Sequence, residues 1–202
     1  MPGRLVFATT ADGATEPTAK MIIKSDGQIG IGTTTPTELL HLKSTTVDCS
    51  LLVEATGTDK DARIKLHGHS GGLSQIQFGD QDSGNIGLVT YDHSINQMQF
   101  RVNGVDRLRI NNAGRLFIGA TSGRGIGGVS PQIQVEGTAV NTTSFSLYRD
   151  SNDAGSSFLM FAKSRATTIG GNGLVQEGDV VGAIRFCAND GSDTGSFIAQ
   201  IK

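Results

Sequence analysis

An all-β fold of short strands and tight turns is predicted by three features of this 202-residue chain. Apolar and polar residues alternate over short runs, and no segment sustains a 3.6-residue period. Glycine, at 28 residues, is about twice its usual share of roughly 7%, and much of it stands at polar corners between those runs. Thirdly, one stretch occurs twice. Met21–Thr34 (M-I-I-K-S-D-G-Q-I-G-I-G-T-T) lies over Leu108–Thr121 (L-R-I-N-N-A-G-R-L-F-I-G-A-T) without a gap. Gly27 falls on Gly114, Ile31 on Ile118, Gly32 on Gly119 and Thr34 on Thr121. Alternation on both sides of a polar corner ending in Gly reads as two strands joined by a tight turn, with Gly27 and Gly114 at positive φ.

In chain order, Met1-Pro2 leads into G-R-L-V-F-A-T-T-A-D-G (Gly3–Gly13), a strand ending at Phe and running into an Asp-Gly turn. G-A-I-R-F-C-A-N-D-G (Gly182–Gly191) has the same form, and S-Q-I-Q-F-G-D-Q-D-S-G (Ser74–Gly84) is a looser copy. After the first corner motif, Thr35-Pro36 stops the ladder, and Thr37–Leu40 is expected to make one helical turn behind the proline. Further strands are expected around Leu52, at Ile64–Leu66, after Pro131 and at Phe158–Met160, with a glycine loop at Gly123–Val129 before Pro131. Between the two corner motifs, Ile86–Ile110 reads as a three-stranded meander. Its turns are D-H-S-I-N and Asn103-Gly104, the latter a strong two-residue hairpin signal.

These elements divide the chain into residues 1–19, the tail end of a preceding module, a first module at 20–106 and a second at 107–202. The second module is expected to be cut short, because F-I-A-Q-I-K stops at Lys202 in mid-alternation. The chain is likewise expected to begin inside a module, since its first strand lacks the upstream half found elsewhere.

Aromatic residues make up only 5% and tryptophan is absent, so either the layers are thin or apolar faces are buried against other copies of the chain. A net charge of −2 with dispersed charges argues against nucleic acid and anionic lipid as partners. No apolar run reaches the ~18 residues of a membrane span. Cys49 and Cys187 are isolated and read as small packing residues rather than a disulfide or metal pair.

The ordered set G-R-L-V-F, K-M-I-I-K-S-D-G-Q-I-G-I-G-T-T-T-P, I-Q-F-G-D, Y-D-H-S-I-N-Q-M-Q-F-R-V-N-G-V-D-R-L-R-I-N-N-A-G-R-L-F-I-G and G-D-V-V-G-A-I-R-F-C-A-N-D-G resembles the shaft modules of bacteriophage tail fibre and tailspike-like proteins of the marine phage type. Such shafts often precede an intramolecular chaperone of the endosialidase type. The resemblance implies an intertwined parallel homotrimer with β-rich knobs, joined to other tail fibre segments, assembled in the host cytoplasm and carried on the virion. It implies a structural role that extends and orients a host-recognition tip. Two alternatives are a host-glycan adhesin, acting through loops such as Thr90–Asn96 or Gly123–Ser130, and a polysaccharide depolymerase.

Candidate chemistry is sparse, and no catalytic, cofactor or metal residue is assigned. His67 and His69 share one strand face, and a trimer would gather three such pairs into a site suited to a divalent metal. The pair occurs once, beside Ser70-Gly71-Gly72, and a solvated loop is the favoured reading. Asp80-Gln81-Asp82-Ser83-Gly84 opens like a calcium loop, but Tyr91 occupies the position of the bidentate Glu. Asp150–Gly155 departs from that pattern too, and both read as Asx turns. Gly30-Ile31-Gly32 and Gly170–Gly173 are followed by no helix that could hold a phosphate. Asn141-Thr142-Thr143 is a formal glycosylation sequon. Glu54, Glu136 and Glu177 lack the aromatic setting of a sugar-cleaving carboxylate pair, and the expectation is that the chain is not an enzyme.

Overall fold

A computed structural model describes residues 3–191 and 194–202, so the Met1-Pro2 opening lies outside the described residues. The fold is all-β, and its only helical element among those residues is one 3₁₀ turn at Val140–Thr142. Two units, Met1–Lys65 and Leu66–Lys202, are each described by themselves.

The first unit holds one four-stranded sheet in the order β1 (Leu5–Thr9), β2 (Thr18–Ile23), β3 (Ile29–Ile31), β4 (Leu40–Leu42). β1 and β2 are antiparallel, as are β2 and β3, whereas β4 returns parallel to β3. The β2–β3 corner closes as its sequence demands. Lys24 and Gln28 pair across it, Asp26 Oδ1 accepts the Gln28 N–H at 3.2 Å, and Gly27 has φ +84°.

The second unit holds a six-stranded sheet in the order β10-β9-β8-β7-β6-β5. Its strands are β5 (Leu73–Phe78), β6 (Gly87–Asp92), β7 (Gln97–Val102), β8 (Val105–Ile110), β9 (Leu116–Ile118) and β10 (Ile133–Val135). The expected meander is β6-β7-β8. Asn103 and Gly104 both have positive φ, +52° and +72°, and Val102 pairs directly with Val105, which makes the type I′ hairpin. β8–β9 is antiparallel through a corner in which Gly114 has φ +73°, and β10 again returns parallel. A separate ribbon pairs β11 (Ile184–Ala188) with β12 (Ser196–Ile201). Its register shifts between Phe186 and Cys187, as β1–β2 shifts between Phe7 and Ala8, so both Phe-ending strands carry an irregularity just after the Phe.

Why the parallel strand can approach is visible at two glycines. Gly32 and Gly119 have φ +75° and +78°, and a Cβ on either would collide with a carbonyl of the returning chain, Lys43 or Glu136. Close backbone approach at the end of the β3 and β9 strands therefore requires glycine for both space and conformation.

Two expectations are corrected. Thr37–Leu39 is a bend rather than a helical turn, because β4 begins at Leu40 and pulls the chain straight into pairing with β3. No strand is assigned at Leu52, Ile64–Leu66 or Phe158–Met160 among the described residues. These segments have strand-like sequences, but no neighbouring backbone of the same chain offers them a ladder. Leu52 and Met160 are about 80% exposed, at 79% and 81%.

Two substitutions separate space from conformation. Gly104→Ala meets no atom within 4 Å, so only its φ is penalised, at about 1 kcal/mol. Gly119→Ala meets the same penalty and the Glu136 carbonyl, and about 2 kcal/mol or more is expected. Urea unfolding of the two variants checks this, and equal losses would contradict the role given to Gly119.

Candidate assembly surface

Residues paired directly across a ladder point to the same side of a sheet, so the registers define each face. In the six-stranded sheet one line of partners runs Val135, Ile118, Leu108, Phe100, Val89, Ile76. A neighbouring line on the same side runs Ile133, Leu116, Ile110, Met98, Tyr91 and ends at Ser74. The line between them, on the opposite side, runs Gln134, Phe117, Arg109, Gln99, Thr90, Gln75. One face is thus almost wholly apolar and the other almost wholly polar.

The burial is the reverse of what a self-sufficient sheet would show. On the apolar face Ile133, Ile76 and Ile118 are 65%, 51% and 39% exposed, and Phe100 is also exposed. Phe78, Ile86, Val89, Phe100 and Val102 line an open groove of about 550 Å³ at one end of it. On the polar face Thr90, Gln97, Gln134 and Phe117 are buried. Gly123 makes that possible, because its missing side chain would otherwise strike the Phe117 ring. The loop running on from it is tied down by Arg124, which donates from Nε to Glu136 Oε1 at 2.6 Å, and by the Gln134 carbonyl oxygen Oε1, which accepts the Arg124 N–H at 3.2 Å.

The other sheets share the arrangement. In the first unit Leu5, Ile23, Ile29 and Leu40 are register partners, as are Phe7, Met21, Ile31 and Leu42 on the same side. Leu5, Phe7, Ile31 and Leu40 of this face are exposed, while Ile22 on the other side is buried over Gly30. In the ribbon Ile184 pairs with Ile201 and Phe186 with Ala199, and Ile184, Phe186 and Ile201 are exposed. Sequence alternation located these apolar rows but could not tell that they stay exposed.

The polar face carries a partly buried charge cluster. Asp106 accepts from Arg101 Nε at 2.9 Å and from Arg109 Nη2 at 2.8 Å, and Arg109 Nη1 reaches the Thr121 carbonyl at 2.9 Å. Partial burial pushes the Asp106 carboxyl up, but the hydrogen bonds and charges of the two guanidinium groups outweigh it and hold it below the usual range.

The residues singled out from sequence fall apart as a site. His67 and His69 lie in an exposed segment outside any strand, so they share no strand face, and His69 Nδ1 accepts the Gly71 N–H at 3.2 Å. Among the described residues no group of three potential metal ligands forms. Asp80 Oδ1 accepts the N–H groups of Asp82 and Ser83, and Asp153 accepts from Ser151 and Gly155 while pairing with both Arg149 nitrogens at 2.7 Å, so both are Asx turns. Glu136 is held by Arg124, whose hydrogen bonds keep its carboxyl ionised to lower pH than usual. Gly170–Gly173 belongs to a loop pinned at its base by Ser164, whose Oγ accepts the Gly173 N–H at 2.7 Å, and by Asp179, which accepts from Lys163 and Arg165. Asn141 sits in the 3₁₀ turn. Cys49 is exposed rather than packed, since its segment has no covering layer, whereas Cys187 lies against Gly127. No described helix is long and apolar enough to cross a membrane. Compared with known proteins, the chain matches no family model, and no curated protein is significantly similar to it.

Asp106 sets a pH dependence. Its folded pKa is depressed, so its contribution to stability is present above its ordinary value of 3.8 and is lost as pH falls through the lower folded value. Asp106→Asn is expected to cost about 1–2 kcal/mol at pH 7, with the gap to wild type closing in acid below that range. Melting curves of both proteins from pH 7 to pH 2.5 measure this (a working range, roughly set by carboxylate titration). A gap that persists unchanged in acid would contradict it.

Proposed function

We propose that the chain is a structural segment of a trimeric viral tail fibre, in which the open apolar sheet faces pack against the same faces of sister chains. The observation that supports this most is the amount of apolar surface left uncovered. Leu5, Phe7 and Leu40 of the first sheet, Ile76, Phe78 and Ile133 of the second, and Ile184, Phe186 and Ile201 of the ribbon are all exposed. Monomeric proteins rarely leave large contiguous apolar patches uncovered, and here each sheet exposes a row of apolar side chains on one side.

The extended segments support the same reading. Leu51–Val53 and Ala62–Ile64 line one shallow groove without forming a ladder, and Phe158–Phe161 is exposed throughout. Strand-like sequence without a partner strand is what chains that intertwine with their copies require. The pairing β2-β3-β4 and the pairing β8-β9-β10 have one plan, antiparallel corner then parallel return. We read them as repeated modules of a shaft, consistent with the resemblance in sequence. A rigid segment of this kind joins to other fibre segments, orients a host-recognition tip and catalyses nothing.

The test is one charge on the open face. Ile31→Asp and Ile118→Asp each place a carboxylate where sister chains meet, and burying it unpaired is costly. Each variant is expected to lose the oligomer in gel filtration, while Gln28→Asp, at the polar corner, keeps it. Wild-type protein that stays a folded monomer at micromolar concentration would overturn the proposal.

A further inference from the structure

The crossover from β9 to β10 carries a miniature hairpin. Ile126 and Val129 exchange both backbone hydrogen bonds, at 2.8 and 3.2 Å, across Gly127 and Gly128, whose φ values are +58° and +80°. Two positive φ values between a doubly bonded pair make a type I′ turn. The base of this hairpin is fixed to the six-stranded sheet. Gly123 lies on the Phe117 ring, while Gln134 accepts the Arg124 N–H and Glu136 accepts from its guanidinium.

The tip meets a part of the chain far away in sequence. The Gly127 N–H donates to the Thr194 carbonyl at 2.8 Å, and the Thr194 hydroxyl donates to the Gly125 carbonyl, 69 residues away, at 2.7 Å. Thr194 stands in the connection between β11 and β12. On β11, Cys187 Sγ would lie 3.0 Å from a Cβ placed on Gly127, so the thiol packs where the glycine leaves room. Gly127, Cys187 and Thr194 are all half-buried, whereas Gly125 and Gly128 beside the contact are exposed.

We propose that this hairpin is a latch that holds the β11–β12 ribbon in a fixed orientation on the six-stranded sheet. The ribbon has two strands and neither pairs with the sheet, and a two-stranded ribbon is marginally stable alone. Glycine-rich connections are ordinarily flexible, but here the Ile126–Val129 pair folds the glycines into a turn with one defined tip. Gly127 serves that tip twice, by its φ and by the room it leaves for Cys187, whereas Gly128 serves it by φ alone. A ribbon ordered in advance loses less freedom when its exposed row, Ile184, Phe186 and Ile201, is covered. The latch needs only contacts within one chain and stands apart from the fibre reading.

Thiol alkylation tests it, because Cys187 packs against the tip while Cys49 is exposed elsewhere and reports general loosening. The full chain in its native assembly is treated with iodoacetamide, and mass spectrometry follows each cysteine. Wild-type Cys187 is expected to react far more slowly than in urea-unfolded protein. Thr194→Val, which removes the hydroxyl donor and keeps the shape, is expected to speed Cys187 labelling about fivefold. Gly127→Ala is expected to speed it about tenfold or more. Gly128→Ala, which meets no atom within 4 Å, is expected to have a smaller effect than Gly127→Ala. Cys49 labelling and hydrogen exchange in β6–β8 are expected to stay at wild-type rates throughout. Equal Cys187 rates in all four proteins, a wild-type rate as fast as in urea, Gly128→Ala matching Gly127→Ala, or Cys49 and β6–β8 loosening together with Cys187 would each overturn the proposal.

Discussion

The structure depends on a mismatch between pleat and layer. Each sheet sends its apolar side chains to one face, as strict alternation along a strand requires, yet among the described residues much of that face stays exposed. In a sandwich the covering layer is another sheet, and in a barrel it is the sheet's own far wall. Among the described residues the fully buried large side chains are Ile22 and Phe117, and both lie on the opposite side of their sheets from the open apolar lines. Among the described residues little apolar surface is fully buried, so much of the hydrophobic stabilisation these sheets could gain lies in faces left uncovered.

What holds each sheet together within the chain is accordingly local. Corners close through backbone pairs and Asx bonds at Asp26 and Asn111, with glycine at positive φ. Parallel returns are admitted by Gly32 and Gly119, where any side chain would meet the neighbouring carbonyl. Ion pairs such as Arg101–Asp106–Arg109 and Arg124–Glu136 pin the polar side. Such devices fix register and geometry, whereas surface ion pairs contribute little stability by themselves.

Much of this was legible in the sequence, and the exceptions have one cause. The corners at Gly27 and Gly114 and the Asn103-Gly104 hairpin were readable because their turn chemistry involves only a few adjacent residues. The meander was readable because its strands follow one another without interruption. What local pattern could not show was where Leu51–Val53 or Phe158–Phe161 find hydrogen-bond partners, since those partners are not sequence neighbours and the chain itself does not offer them. The same limit hid the parallel pairing of β3 with β4, which turned Thr37–Leu39 into a bend.

Covering of the apolar faces by copies of the same chain is the central claim, and side-chain footprinting tests it most directly. Hydroxyl radicals label exposed aromatic and aliphatic side chains, and mass spectrometry assigns the label to positions. In the native protein Phe7, Phe100 and Ile118 are expected to be labelled far more slowly than their exposure in the single chain implies, while Ile95 on the polar side is labelled freely. Dilution or mild acid that lowers the assembled mass should raise labelling of all three together. Fast labelling of Phe7, Phe100 and Ile118 in the native protein, at the rate of Ile95, would contradict the account.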